Sequence, residues 1–233
     1  MPWLTAAMCA IAALVGCGVP ARHPAALEPA IADRLAQYGH AARARIAPYF
    51  AAAGIAYPPE RFVLVGFKFE RELDLLAYGP GRGLTFIRSY PILGASGTFG
   101  PKLREGDRQV PEGVYGIVYL NPNSVAHLSL ALSYPNDYDR ARAAEDGRDG
   151  LGGDIMIHGG STSIGCIAIG DEAAEAGWER AVVLLSPVDF RRNILPVDYL
   201  AQPAWVDDLY LRLRAELARF PVGPTSTSES ETP

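Results

Sequence analysis

Two side chains able to do covalent chemistry lie eight positions apart, His158 and Cys166, in the stretch Asp154-Ile-Met-Ile-His-Gly-Gly-Ser-Thr-Ser-Ile-Gly-Cys166. A free thiol has a pKa of ~8.5, so little of it is thiolate at neutral pH and a nearby base must activate it. The pattern offers a way to bring the two together. Ile155-Met156-Ile157 reads as a short buried strand that delivers His158 to its end. The Gly, Ser and Thr positions that follow form a loop. Ser163-Ile164-Gly165 then introduces Cys166 at the start of a second apolar run, Cys166-Ile-Ala-Ile169. Strand, tight loop and second strand would return the thiol to the imidazole. A zinc site built from His127, His158, Asp154 and Cys166 lacks the Cys-x-x-Cys or His-Glu-x-x-His spacing. The Gly-x-Ser-x-Gly elbow of serine hydrolases is absent around Ser161 and Ser163. The chemistry expected is that of a cysteine nucleophile activated by a base, with no metal and no cofactor.

The stretch resembles the active-site motif of the YkuD-type L,D-transpeptidases, cysteine enzymes of peptidoglycan metabolism. That family reads as a strand ending in His-Gly, a loop, then Ser-His-Gly-Cys. The counterparts here are Ile157-His158-Gly159 and Ser163-Ile164-Gly165-Cys166. Ile164 replaces the second histidine and the loop is shorter; both features resemble the murein L,D-transpeptidase branch. Val110-Pro-Glu-Gly-Val-Tyr115 is similar to the family's Thr-Pro-Glu-Gly-x-Tyr element. His127-Leu-Ser-Leu-Ala-Leu-Ser-Tyr-Pro-Asn136 is similar to its His-x-Ser-Leu…Ser-Tyr-Pro-Asn strand. The resemblance covers roughly residues 61–188, with the motifs in the family's order.

It implies a mainly β fold with flanking helices (α+β), an L,D-transpeptidase catalytic-domain-like β-sandwich. It also implies roles. Cys166 is the nucleophile and His158 its base, with the carbonyl of Gly159 orienting the imidazole. The backbone N–H groups of Gly165 and Cys166 are oxyanion candidates. His127, Ser163, Tyr134 and Arg88 are candidates for lining the substrate groove. Each has an ordinary alternative: a satisfied core or edge histidine, a loop cap, plain packing, a surface charge. The implied reaction is attack of Cys166 on the third residue of a peptidoglycan stem peptide, a diamino acid, giving a thioester that an amine resolves. Hydrolysis by the same site, as a carboxypeptidase or in release of a peptidoglycan-bound lipoprotein, stays open. So does a non-catalytic peptidoglycan-binding envelope protein.

With 233 residues, 49% of them hydrophobic, the chain holds one domain with its own core plus extra segments at its ends. A net charge of −5 and scattered Lys and Arg exclude a nucleic-acid partner. Of three cysteines, Cys9 and Cys17 lie in an N-terminal apolar segment. Trp3 to Val15 is short for a membrane span and suits a signal-peptide core, although no Lys or Arg precedes it. Leu14-Val15-Gly16-Cys17 resembles a lipobox, so residues 1–17 are expected to be a signal with Cys17 as the lipidated residue; a plain secretion signal or an uncleaved anchor are the alternatives. The expected setting is the periplasmic cell envelope, lipid-anchored. Partners there would be peptidoglycan stem peptides, a peptidoglycan-linked lipoprotein and the membrane. Cys166 would then be the one free thiol left, in an oxidising compartment.

The remaining organisation follows from pattern. Residues 18–57 hold a Pro/Ala-rich linker and an amphipathic helix from Glu28 to Ala53, with Ile31, Leu35, Tyr38, Ala42, Ile46, Tyr49 and Phe50 on one stripe. Gly54 stops the helix, Pro48 should break it near Ala47, and Arg34, Arg43 and Arg45 form a solvated face. Residues 58–190 form the catalytic domain. Strands are expected at 61–69, 72–78, 84–90, 114–120, along 127–136 and at 181–186, with a charged exposed stretch at 102–109. Helices are expected from Asn136 to Ala144 and from Glu172 to Trp178. Residues 191–221 carry a helix with Val206, Leu209, Leu213 and Leu217 inward, Pro203 marking its start. Residues 222–233 are expected to be disordered.

Overall fold

The computed structural model describes residues 28–81, 83–176, 181–195 and 202–224. The expected signal segment with Cys17, the linker at 18–26 and most of the tail lie outside these residues. Among the described residues no helix is long and apolar enough to cross a membrane.

Helix α1 (Glu28–Ala52) leads into strands β1 (Phe62–Phe67), β2 (Glu72–Tyr78), β3 (Leu84–Pro91), β4 (Gly113–Asn121) and β5 (Ser129–Leu132). Then come α2 (Asp137–Glu145), β6 (Met156–His158), β7 (Ile167–Ala168), α3 (Asp171–Ala174), β8 (Ala181–Ser186) and α4 (Trp205–Leu217). The eight strands run β3-β2-β1-β8-β4-β5-β6-β7. The β1–β8 and β6–β7 pairs are parallel, the others antiparallel. One hydrogen-bonded sheet makes both layers. The first half of β4 (113–116) pairs with β8, and its second half pairs with β5 past an irregularity between Ile117 and Tyr119. At the far edge, Ala168 of β7 bridges back to Gly94, just beyond β3. The sheet therefore turns at β4 and closes around its contents.

Alternation along β1 explains why Phe-Val-Leu-Val-Gly-Phe is buried on both sides. Phe62 and Leu64 enter one cluster with Ile46 and Phe50 of α1, Tyr115, Ile157 and Ile167. Val63, Val65 and Phe67 enter a second cluster with Val206, Leu209, Leu213 and Leu217 of α4. The flanking helices are thus layers on the sheet, not appendages.

Pro48 sits inside a single unbroken α1. It removes one backbone donor, but Ile46 and Phe50 on either side are buried at 2% and 0% exposure, and their packing holds both halves in line. Leu35 and Tyr49 of the expected stripe stay largely exposed. The arginines are not a merely solvated face. Arg34 donates to Pro122 O at 3.0 Å, Arg43 to Tyr57 O at 3.2 Å, and Arg45 pairs with Glu175, so they tie α1 to the domain. The 127–136 strand is shorter than expected: His127 has φ 71°, outside the β region, and Pro135 has no N–H for a ladder. In α2, Asn136 and Asp139 form a reciprocal capping box. Helix α4 begins two residues after Pro203, and α3 is only four residues long.

Asp74 of β2 is 3% exposed, with Ser89 donating to it and Arg191 at 3.8 Å. Burial pushes its carboxyl up from 3.8 to about 6. The folded state then holds this proton more tightly than the unfolded one, so stability rises as pH falls through 6 towards 4. Comparison with Asp74→Asn isolates this group. From pH 7.5 to 4.5 the wild type should gain roughly 2 kcal/mol over the variant, read by denaturant unfolding at each pH. A difference independent of pH would contradict the assignment.

Candidate active site

Parallel pairing of β6 with β7 sets Ile157 beside Ile167 and His158 beside Ala168. The two isoleucines fill the core, at 0% and 1% exposure, and this alternation turns His158 to the other face. Cys166 immediately precedes β7 and comes level with Met156, whose N–H donates to Sγ at 3.3 Å. The thiol in turn reaches Asp154 O at 3.5 Å. Gly94 lets the intervening loop pack this close: a Cβ there would lie 2.6 Å from Ser161 O and 3.0 Å from Ser163 N.

The imidazole is oriented at both nitrogens. Nδ1 lies 2.6 Å from Gly159 O. A carbonyl only accepts, so Nδ1 carries the proton and, in the neutral ring, Nε2 holds the lone pair. Ser163 Oγ sits 3.1 Å from Nε2 and donates to it. The basic nitrogen therefore faces the loop that carries the thiol. Among the described contacts no hydrogen bond joins Sγ to the ring. Burial pushes the Cys166 thiol up and the Asp154 charge adds to this; the Met156 N–H and the Lys102 ammonium act the other way. Burial and the Asp154 charge thus favour the thiol over the thiolate before substrate arrives. Alkylation of Cys166 by iodoacetamide should accordingly rise with pH and reach its midpoint above ~8.5. A plateau reached by pH 7 would show a resting ion pair instead.

Gly165 has φ +81°, a conformation few other residues accept. Its N–H donates to Ser96 Oγ at 2.7 Å, and Ser96 donates onward to Arg108 O at 2.7 Å. The expected oxyanion donor at Gly165 is thus already occupied by a side chain, and the Cys166 N–H is the remaining candidate.

The four groove candidates separate. Ser163 belongs to the site through His158. Tyr134 does not line a groove: it is 5% exposed, stacks edge-on against Tyr115, and its hydroxyl lies 3.3 Å from Lys102 O and from Leu151 O. Its ring is apolar enough to be drawn into the core once its hydroxyl finds backbone acceptors. His127 packs edge-on against Tyr38 of α1, with Nε2 2.9 Å from Glu175 Oε1, a domain–helix contact. Arg88 lies between the rings of Tyr49 and Tyr90, at 4.2 and 4.3 Å, facing a cavity lined also by Arg45, Asp171 and Glu172. No group of three or more His, Cys, Asp or Glu suited to a metal occurs among the described residues.

Several residues near the thiol escaped the sequence reading. The 102–109 stretch is exposed at Arg104, Glu105, Gly106 and Arg108, as expected, but not at Lys102. Lys102 is 7% exposed and donates to Arg104 O and Asp107 Oδ1, both at 2.8 Å. Asp107 also accepts the N–H groups of Leu103, Arg104 and Gln109; burial pushes its carboxyl up, but Lys102 and then these donors outweigh it and hold it below the usual range. The loop wraps its own carboxylate. An Asp three residues past an Arg and two before a Gln is ordinary turn chemistry, and that was the available signal. Ser96 had none, because its partner is 69 positions away.

Residues 78–189 match the YkuD family, described as the L,D-transpeptidase catalytic domain. YafK of Escherichia coli, from strains K12 and O157:H7, is 39% identical over 111 residues, 47% of this chain and 42% of that protein. The chain thus spans well under half the length of the curated relatives it matches. Among solved structures, the helical cell shape determining protein Pgp2 of Campylobacter jejuni overlaps 57% of this chain and 50% of its own, at 23% identity and TM-score 0.44. Bd1075 of Bdellovibrio bacteriovorus overlaps 70% and 56%, at 18% identity and TM-score 0.41. L,D-transpeptidase 1 of Mycobacterium tuberculosis overlaps 54% and 61%, at 13% identity and TM-score 0.32.

Proposed function

We propose that this chain, whose residues 78–189 match the L,D-transpeptidase catalytic domain of the YkuD family, transfers acyl groups between peptidoglycan stem peptides through a thioester on Cys166. The observation that carries the reading is the tautomer of His158. Its Nδ1–H is tied to Gly159 O, which leaves a basic Nε2 facing the cysteine loop.

Sγ attacks the carbonyl carbon of the third stem residue as its proton passes to Nε2. The negative charge on the former carbonyl oxygen is met by the Cys166 N–H. Collapse of the adduct breaks the peptide bond, and the imidazolium returns the proton to the departing amine. The thioester then meets a second amine, whose proton Nε2 takes; the amide forms as the C–S bond breaks and the imidazolium returns the proton to Sγ. Water in the same place gives hydrolysis, as carboxypeptidase or in release of a peptidoglycan-bound lipoprotein. The setting that fits is the periplasmic face of the envelope, with Cys17 as the lipidated residue.

The test is to incubate the chain with disaccharide-tetrapeptide and separate the products by mass. Cross-linked dimers support transfer; tripeptide with free terminal amino acid assigns the site to hydrolysis. Muropeptides unchanged at high enzyme concentration would make this a binding protein and end the catalytic reading.

A further inference from the structure

Beside the thiol loop lies a cavity of about 200 Å³, lined by Lys68, Phe69, Arg71, Phe99 and the hydroxyl residues Ser96 and Thr98. It begins at Ser96, whose Oγ holds the Gly165 N–H, one residue from Cys166. Its chemistry is distinctive for what its cations are doing. Lys68 Nζ has its three donors matched to Gly100 O, Val110 O and Glu112 Oε1, at 2.9 to 3.1 Å. Arg71 turns its guanidinium onto the carbonyls of Ala95 and Leu93. Lys68 is thus committed to the wall, while Arg71 stays exposed with guanidinium donors beyond these two bonds.

Beside Arg71 the cavity presents a flat apolar surface with hydroxyls at its edge. Phe69 is 59% exposed and stacks on Phe99 with centroids 5.8 Å apart and planes 29° from parallel. The loop that carries Phe99 is fixed. Gln109 accepts the Thr98 N–H at 2.9 Å and donates to Thr98 Oγ1 at 3.2 Å, while Gly97 takes φ +89° where a Cβ would strike Gln109. An exposed phenyl face held by a preorganised loop is costly to leave against water unless something covers it.

We propose that the Phe69–Phe99 shelf binds a neutral hexosamine ring of the glycan strand, so that the enzyme reads the sugar as well as the stem peptide. A pyranose offers one face of C–H groups to an aromatic plane and a rim of hydroxyl and amide groups to Ser96 and Thr98. The diamino acid of a stem peptide does not suit this cavity: its ammonium would meet Lys68 and Arg71 and no carboxylate. The proposal deepens the acyl-transfer reading and takes its glycan ligand from it.

The experiment titrates the full chain with N,N′-diacetylchitobiose, an uncharged peptide-free probe, by calorimetry, beside a separate assay of tetrapeptide turnover. Wild type should bind the disaccharide. Phe69→Ala should weaken binding at least tenfold, Phe69→Trp should retain it, and Thr98→Val should weaken it, with thermal unfolding confirming that each variant folds. No binding to wild type, or equal binding by Phe69→Ala, overturns the proposal even if the tetrapeptide is turned over. Binding that depends on Phe69, with no turnover, would leave the sugar site standing and remove the reaction assigned above.

Discussion

Cys166→Ala should abolish covalent capture of a stem tetrapeptide, and His158→Gln should slow it by roughly 10²- to 10⁴-fold. The two losses differ because the residues do different things. Alanine removes the atom that forms the bond. Glutamine keeps a polar group near Ser163 but has no basic nitrogen at the Nε2 position, so the thiol must lose its proton to solvent. That cost is greater here than for an exposed cysteine, because burial and Asp154 hold the thiol in its neutral form. Replacing Ser163 with Ala should cost far less, since it donates to Nε2 without accepting the thiol's proton. Single-turnover acylation rates read all three. A His158→Gln enzyme within tenfold of wild type would mean that another group generates the thiolate.

The largest effect on stability is expected at Glu112, not at the thiol. Glu112 is 1% exposed. One carboxylate oxygen meets Lys68 Nζ at 2.9 Å and the Gly100 N–H at 3.0 Å; the other accepts the Tyr210 hydroxyl at 2.7 Å. This single side chain joins the start of β4, the end of β1, the loop before the site and helix α4. Glu112→Leu would leave a buried ammonium and a backbone donor without their acceptor, at a cost of about 3–5 kcal/mol. For a chain of this length that lowers Tm by roughly 10 °C. The double variant Lys68→Met/Glu112→Leu should recover much of the loss, because it removes the stranded charge as well. A single-variant loss below ~1 kcal/mol would show that the pair is hydrated and not structural.

What the sequence revealed divides along physical lines. Strands β2 and β8 were legible residue for residue, because a run bounded by turn residues carries its own boundaries. Asn136 opening α2 and Gly54 closing α1 are equally local. His158 and Cys166 stood out because short spacing and flanking glycines limit where the chain between them can go. The misses concern residues whose state depends on distant partners. Lys102 looks solvated from its neighbours, yet Asp107 and a carbonyl remove it from water. Arg45 looks like a surface charge until α1 sets it on Glu175, 130 positions later. Pro48 carries a strong local penalty that the packing of Ile46 and Phe50 overrides. Gly165 was legible as an oxyanion candidate in the cysteine loop. That its N–H is already held by Ser96 was not, since nothing in either segment points to the other.

The intact mass of the protein after brief exposure to disaccharide-tetrapeptide bears most directly on whether Cys166 carries the acyl group. A gain equal to the donor less its terminal amino acid, lost on treatment with hydroxylamine and absent from Cys166→Ala, is the predicted result. An unchanged mass under conditions where the donor is consumed, or an adduct that persists in Cys166→Ala, would contradict it.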